Sequence, residues 1–294
     1  RDEEVLRTLR ERAAWSAGAL EQYTGCAVRW FVERHLQPKV LEPDPEAMAR
    51  GSLVHEVLQL TLERLGAAVG EANLPRAREL AREAIAECAP HAHLPMAPRR
   101  REAVLRRLEV DVLRYLDFAA LCATGFTPSA FELSFGTPDD DREPVDLGDG
   151  LRLSGRIDRV DRRGDAAIVV DYKGRSAHPS QAVWIEKGRV QAGLYALALP
   201  ELLGVEAAGA LYQPIGARDQ RPRGFVLEEA TGPEGFVRTD RIDAETRDAL
   251  LAEVLDTARE AVRGIEAGAL DPTPKTCTPR GRCAFPSICR CGDA

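Results

Sequence analysis

Residues 166–174, AAIVVDYKG, place an aspartate and a lysine two positions apart at the end of a strongly apolar run. Alternate residues of a β-strand point to the same face, so Asp171 and Lys173 share one face and Tyr172 points to the other. A strand this apolar is expected to be buried, and a buried carboxylate needs a partner. The pattern predicts a β-sheet with a charged site at the end of one strand. The alternative is a surface hairpin whose charges simply pair.

A second strand pattern, LRLSGRIDRVD, precedes this run, and the connection RRGD predicts that the two form a β-hairpin. With a tight turn at residues 163–164, Asp158 opposes Val169 and shares a face with Asp171, diagonal to it. Two facing carboxylates repel each other, and a divalent cation offsets this charge better than one lysine does. Such oxygen ligands suit Mg²⁺ or Mn²⁺. Glu132 alternates with apolar residues in the preceding strand pattern, AFELSFG, and offers a further carboxylate.

Helical periodicity accounts for most of the remaining chain. Apolar residues recur at helical spacing in GSLVHEVLQLTLERLG, in residues 76–122, around RVQAGLYALAL and in a long stretch before DPTP. A further strand is predicted in GALYQPI. No internal repeat or low-complexity linker divides the sequence, so we predict one α/β domain over residues 1–294. Its parts are an N-terminal segment, a helical region, a core with the paired strands, and a C-terminal region with the tail: 1–50, 51–125, 126–215 and 216–294.

The charge and hydropathy of the chain limit its partners. The net charge is -7, which argues against a general polyanion-binding surface, so a nucleic-acid site must be local. The best basic cluster, PRRREAVLRRLE at residues 98–109, is compatible with a solvated helix face and equally with contacts to phosphate. No run of about eighteen apolar residues and no signal-peptide pattern occurs. We therefore expect no membrane span and a cytoplasmic location.

The seven cysteines are unevenly distributed along the chain. Without a secretory signal, they are expected to be thiols or metal ligands rather than disulfides. One of them, Cys26, lies far upstream in WSAGALEQYTGCAVRWFVERHL. Four crowd the last eighteen residues: Cys277, Cys283, Cys289 and Cys291. Thiolates suit an iron–sulfur cluster or zinc.

Five short motifs occur in one order along the chain: Gly51-x-x-x-His55, Glu132, GRIDRVD around Asp158, DYKG from Asp171, and Gln191-x-x-x-Tyr195. As an ordered set they resemble the nuclease domain of the RecB and AddB helicase-nucleases, within the PD-(D/E)XK superfamily. The resemblance covers residues 16–290. It implies an α/β fold with a PD-(D/E)XK core, in which helices flank a central mixed sheet, and with helical insertions.

The resemblance also implies a role for each site residue. It implies that a divalent metal is held by four groups: His55, Asp158, Asp171 and the backbone carbonyl of Tyr172. Glu132 would support this site, directly or through water. Lys173 would position the attacking water and stabilise charge on the scissile phosphate. Gln191 and Tyr195, one helical turn apart, would orient the substrate strand or Lys173. Packing in the core is the alternative for His55 and Tyr195.

The two ends of the chain resemble segments that hold a 4Fe-4S cluster in the same family. One is the lead-in around Cys26, and the other is the tail CAFPSICR. The resemblance implies four cluster ligands, which would join the chain ends around the nuclease core: Cys26, Cys277, Cys283 and Cys289. The five residues between Cys277 and Cys283 form a longer gap than is usual in the family, and Cys291 is spare. Two alternatives therefore stay open, namely Cys291 in place of Cys277 and zinc in place of the cluster.

The resemblance implies a Mg²⁺- or Mn²⁺-dependent deoxyribonuclease that hydrolyses phosphodiester bonds of single-stranded or helicase-unwound DNA. An exonuclease is expected rather than an endonuclease, acting in recombinational repair of double-strand breaks. No G-x-x-x-x-G-K-[ST] phosphate loop occurs, so the helicase motor would be a separate domain or subunit. The alternatives are a stand-alone exonuclease of the CRISPR-associated type and a catalytically silent iron–sulfur subunit that binds DNA or acts as a scaffold. The presence of Asp158, Asp171 and Lys173 argues against a catalytically silent protein.

Overall fold

A mixed β-sheet with helices packed on both faces forms the centre of the computed structural model. The structure describes residues 3–37, 45–94, 97–122, 124–137, 140–174, 178–273 and 285–289. Within these residues the sheet has eight strands: β1 Trp15–Ser16, β2 Thr127–Phe135, β3 Val145–Asp146, β4 Arg152–Arg163, β5 Ala166–Lys173, β6 Glu206–Pro214, β7 Arg223–Leu227 and β8 Arg241–Ile242. This arrangement confirms the predicted α/β fold with a central mixed sheet.

The helices surround this sheet in chain order. They are α1 Glu3–Arg10, α2 Ala17–Gly25, α3 Ala27–Trp30, α4 Pro45–Leu65, α5 Leu74–Cys88, α6 Pro98–Leu121, α7 Gln191–Leu203, α8 Ala244–Glu266 and α9 Pro286–Cys289. A π-helical turn, Phe31–Leu36, continues α3, and 3₁₀ turns lie at Gln181–Val183 and Arg238–Asp240. Among the described residues, no helix is both long and apolar enough to span a lipid bilayer.

Strand β4 is the strand with the most partners. It pairs in antiparallel fashion with β2, β3 and β5, and in parallel with β1. The sheet then continues through a parallel β5–β6 pair, an antiparallel β6–β7 pair and a parallel β7–β8 pair. A parallel pair requires a crossover, and α7 supplies it between β5 and β6. The strands predicted in AFELSFG, LRLSGRIDRVD, AAIVVDYKG and GALYQPI are therefore β2, β4, β5 and β6.

The register predicted for the β4–β5 hairpin is wrong by two residues. The turn consists of residues 164–165, not 163–164. Its glycine has a φ of 59°, a left-handed conformation that glycine adopts at little cost. Val169 therefore pairs with Val160 and does not oppose Asp158. Because the shift is an even number of residues, the two site aspartates still share a face of the hairpin.

Strand β5 is buried on both faces, which explains its unbroken apolar sequence. On one face, Val169 belongs to a core formed with α2, α7 and α8. On the other face, Ile168 and Val170 belong to a core formed with α4, α5 and α6. The charged residues Asp171 and Lys173 follow at the end of the strand. The hairpin therefore places the charged groups of Asp171 and Lys173 at the edge of the two hydrophobic cores that cover the faces of β5.

The sheet and α7 approach each other closely at Gly155 of β4. A Cβ atom at this position would lie 2.7 Å from Cε1 of Tyr195, so only glycine fits. The ring of Tyr195 is buried and also contacts Phe135, with ring centroids 6.3 Å apart. This packing fixes the first turn of α7, which begins at Gln191, relative to β4.

Candidate functional site

The candidate site lies where β4 and β5 separate. Their backbone pairing ends at Arg159 and Val170. Beyond this pair, Oδ2 of Asp158 accepts a hydrogen bond from the backbone N–H of Tyr172 at 2.7 Å. The side chain thus takes the place of the missing strand partner. Burial raises the pKa of Asp158, although the charge of His55 and the bond from Tyr172 act in the opposite direction.

His55 reaches this opening from α4. Its Nδ1 lies 3.5 Å from Oε1 of Glu132 and 3.5 Å from Oδ1 of Asp158. The imidazole packs edge-on against the ring of Tyr172, with centroids 5.4 Å apart. Burial alone would lower the pKa of His55, but the hydrogen bond with Glu132 and the charge of Asp158 raise it overall. The carboxylates of Glu132 and Asp158 therefore stabilise a positive charge on His55 between them.

Glu132 has an uncommon backbone conformation for a residue in a strand. Its φ is 43°, in the left-handed region, which costs a non-glycine residue about 1–2 kcal/mol. One carboxylate oxygen lies 2.9 Å from Nε of Arg156, and the other faces His55. Backbone strain of this kind concentrates at functional sites. Here it accompanies a carboxylate that lies between a surface arginine and the candidate metal ligands.

The side chains of His55, Glu132 and Asp158 fit a divalent cation. One ligand atom of each lies within 4.8 Å of those of the other two. Carboxylate oxygens with one imidazole nitrogen are ligands that Mg²⁺ or Mn²⁺ accepts. The two carboxylates share a partly buried opening, so a dication there would relieve their mutual repulsion. Among the described residues this is the group with metal-ligand spacing, and Asp171 is not part of it.

Asp171 lies next to this group and is held by Lys173 and Gln191. The ammonium of Lys173 forms an ion pair with Oδ2 of Asp171. Gln191 donates from Nε2 to Oδ1 of Asp171 at 3.1 Å, and its Oε1 accepts from Lys173 at 3.4 Å. Burial raises the pKa of Asp171 to about 7, although the charge of Lys173 lowers it. The structure therefore brings these three predicted residues into mutual contact.

The two predicted tyrosines are placed differently. The backbone of Tyr172 lies at the opening, but its hydroxyl accepts a hydrogen bond from Arg159 at 2.7 Å on the opposite face of the sheet. The buried guanidinium of Arg159 also pairs with Asp161, with 2.8 Å between Nε and Oδ1. The hydroxyl of Tyr195 hydrogen-bonds the side chain of Gln191, and burial raises the pKa of this phenol to about 12. Tyr195 thus contacts the site through Gln191, while its ring belongs to the core.

Glu21 of α2 is a site residue that sequence reasoning missed. Its carboxylate accepts hydrogen bonds from the backbone N–H groups of Val190 and Gln191, at 3.1 and 3.0 Å. It also pairs with Arg189 at 2.8 Å and accepts from the hydroxyl of Tyr212 at 3.1 Å. It therefore caps the start of α7, from which Gln191 projects. Nothing in the local pattern LEQYTG indicates this role, because the partners lie about 170 residues away.

The predicted cluster cysteines are placed only in part. Cys26 follows α2 and Cys289 ends α9, and both are free, half-buried thiols. Three further cysteines lie outside the described residues: Cys277, Cys283 and Cys291. The hydroxyl of Tyr23 donates to the backbone carbonyl of Ala269 at 2.6 Å. The N-terminal segment is therefore bound directly to the stretch that leads into the cysteine-rich tail.

Comparison with known proteins identifies the family of this chain. Residues 14–290 match the family model described as the PD-(D/E)XK nuclease superfamily. No curated protein matches the sequence. The matched region is well over half of the chain and contains the complete described sheet and the acidic group around His55. The chain therefore belongs to the PD-(D/E)XK nuclease superfamily, whose members use divalent metals to cleave nucleic acids.

Proposed function

We propose that the protein is a Mg²⁺- or Mn²⁺-dependent deoxyribonuclease that hydrolyses phosphodiester bonds of single-stranded or helicase-unwound DNA. One observation carries this proposal: a ligand atom of each of His55, Glu132 and Asp158 lies within 4.8 Å of those of the other two. It is supported by the adjacent ion pair of Asp171 and Lys173. Hydrolysis of a phosphodiester needs an activated water and stabilisation of negative charge, and this combination of groups suits both needs.

The side chains divide these tasks. Five groups would hold the ion: His55, Glu132, Asp158, Asp171 and the backbone carbonyl of Tyr172. The bound metal supplies acidity to a water and positive charge to the phosphate oxygens. Lys173 would position the attacking water and stabilise charge on the scissile phosphate. Gln191 would keep Lys173 and Asp171 in place, since it hydrogen-bonds both, and Tyr195 would orient Gln191 through its hydroxyl.

The charge distribution favours a single strand as substrate. The net charge is -7, so binding to DNA must be local. In the predicted basic cluster, Arg100 pairs with Glu46 and Arg106 pairs with Glu102. These pairs favour a solvated helix face over a phosphate-binding surface. Local binding of this kind fits a single strand in a narrow channel better than a duplex on a broad face, and an exonuclease better than an endonuclease.

The proposal includes a 4Fe-4S cluster that joins the chain ends of one nuclease domain, residues 1–294. Its ligands would be Cys26, Cys277, Cys283 and Cys289. Support comes from the resemblance to RecB and AddB and from the contact between Tyr23 and Ala269, which brings the N-terminal segment to the start of the tail. The same resemblance supports a cytoplasmic role in double-strand-break repair, with a helicase domain or subunit as partner. Iron and zinc assays on anaerobically purified protein separate the cluster from its zinc alternative.

Cleavage of end-labelled single-stranded DNA in Mg²⁺ tests the nuclease assignment. Asp158→Asn and Asp171→Asn should each slow cleavage by about a hundredfold or more, because removing one electrostatic contact at a reacting centre typically costs that much. Asp165→Asn is the matched control, since Asp165 is exposed in the turn of the same hairpin. It should cleave like the wild type, and circular dichroism should show all three variants folded.

Two results would contradict the proposal in different ways. Wild-type rates in both Asp158→Asn and Asp171→Asn would refute the metal site. A wild-type protein that binds single strands without cutting them would instead support the catalytically silent iron–sulfur subunit. The lengths of the labelled products report the mode of cleavage, because stepwise shortening from an end marks an exonuclease.

A further inference from the structure

A cleft of about 180 Å³ opens beside the metal-ligand group, between the helices α4 and α6 and the end of β5. We call it the side cleft. His55 and Lys173 line both this cleft and the candidate site, and Arg50 is a further cationic residue of the lining. Its apolar walls come from Val54, Leu108 and Ile215. The cleft is thus continuous with the proposed catalytic centre and combines apolar walls with cationic groups.

Two glycines line the side cleft without a reason in the fold. Gly51 lies in the second turn of α4, and Gly174 directly follows β5. A Cβ atom at either position would meet nothing within 4 Å, and neither residue has a left-handed φ. A glycine inside a helix destabilises it relative to alanine. Unlike Gly155, which the ring of Tyr195 requires, these glycines leave space that no described residue occupies.

The charge of the side cleft indicates what fills this space. Its acidic residue, Asp111, is only 4% exposed and pairs with Arg50 at 3.8 Å and Arg107 at 3.2 Å. The lining also contains Arg50 and Lys173, which are positive and whose side chains are 32% and 25% exposed. Positive groups suit phosphate, and the apolar walls suit a base or a sugar. A cleft of about 180 Å³ has room for the base or the sugar of one unpaired nucleotide and is too small for a segment of duplex.

We propose that the side cleft receives the nucleotide next to the scissile phosphodiester, as a single strand whose backbone passes over Gly51 and Gly174. Arg50 would contact the phosphate of this nucleotide. The inference rests on the proposed nuclease function and adds the subsite that selects an unpaired strand. It also explains why glycine, and not alanine, stands one helical turn before His55.

The test separates stability from binding. Gly51→Leu fills the cleft, and Gly51→Ala adds one methyl group. Because a Cβ atom meets nothing there, Gly51→Ala should melt at or above the wild-type temperature. Gly51→Leu should remain folded, because leucine is a strong helix former and its Cβ atom has room. Ser52→Leu is the matched control, since Ser52 is the next residue of α4, is exposed and does not line the cleft. Binding of a short fluorescent oligothymidylate is measured by anisotropy in Ca²⁺, and cleavage is measured in Mg²⁺.

Gly51→Leu should weaken oligonucleotide binding by about tenfold to a hundredfold, because extra methylenes in a filled space typically cost that much. Gly51→Ala should show a smaller loss, and Ser52→Leu none. Mn²⁺ affinity should be unchanged in all three, which separates this effect from damage to the metal site. Wild-type binding in Gly51→Leu, with cleavage retained, would refute the subsite alone. Two other results would also refute the subsite: a loss of oligonucleotide binding in Ser52→Leu equal to that in Gly51→Leu, or a wild-type protein that binds blunt duplex as tightly as the single strand. A wild-type protein that binds no DNA at all would instead refute the nuclease proposal itself.

Discussion

Glu21→Ala is expected to destabilise the fold and to impair catalysis through Gln191. The carboxylate of Glu21 is 11% exposed and accepts two backbone N–H groups at the start of α7. Loss of such a cap costs about 0.5–2 kcal/mol. The hydroxyl of Tyr212 would lose its acceptor in a buried position, which adds about 1–3 kcal/mol. The pair with Arg189 is partly exposed and contributes little, so we expect a loss of about 2–4 kcal/mol in the free energy of unfolding.

The catalytic effect follows from the position of Gln191. Without its cap, the first turn of α7 loses its anchor, and Gln191 holds Asp171 and Lys173 less firmly. The turnover rate on single-stranded DNA should therefore fall while KM changes little, because the carboxylate of Glu21 is bound to protein groups at the start of α7. Glu21→Gln keeps the shape and one acceptor oxygen, so it should recover part of both losses.

Urea unfolding followed by circular dichroism measures the first effect, and steady-state cleavage measures the second. Glu186→Ala is the control, since Glu186 precedes the same helix but its side chain is 68% exposed. That variant should stay within about 0.5 kcal/mol of the wild type. If Glu21→Ala matched Glu186→Ala in both its urea midpoint and its turnover rate, the link from α2 to the catalytic residues would be wrong.

Three further outcomes are expected. Asp161→Ala should lower the free energy of unfolding by about 3–5 kcal/mol, because it leaves the charge of the buried Arg159 guanidinium without a carboxylate to balance it. The double variant with Arg159→Met should recover most of this loss in urea titrations. Burial lowers the pKa of His178 from 6.5 to about 4. Between these two pH values the unfolded chain binds a proton that the folded protein does not, so the protein loses stability as the pH falls from 6.5 towards 4. His178→Phe, which keeps the stacking on Tyr212, should show a smaller drop in melting temperature between about pH 7.5 and pH 5 than the wild type. Cys26→Ser should reduce both iron content and melting temperature, and unchanged values would make this thiol incidental to the tail.

Much of the fold follows from the sequence because periodicity is local. Period-two alternation identifies β2 and β4, and the apolar run identifies β5, since each pattern spans enough residues to be distinct. The two-residue strands β1, β3 and β8 have no such signal, because their pairing depends on where β4 and β7 lie. The hairpin register was wrong for a related reason. Both placements put glycine in the turn and keep the same faces, so the pattern does not distinguish them.

The sequence by itself determined which side chains are available for the site and that Asp171 and Lys173 share a face of β5, because the alternation of a strand is a property of its backbone. Only the tertiary structure decided that Glu132 and Asp158 lie close to His55 while Asp171 lies beside them, held by Gln191. These distances depend on how α4 and α7 pack against the sheet. Packing of segments far apart in the chain is set by the shapes of both partners, and no local pattern contains that information.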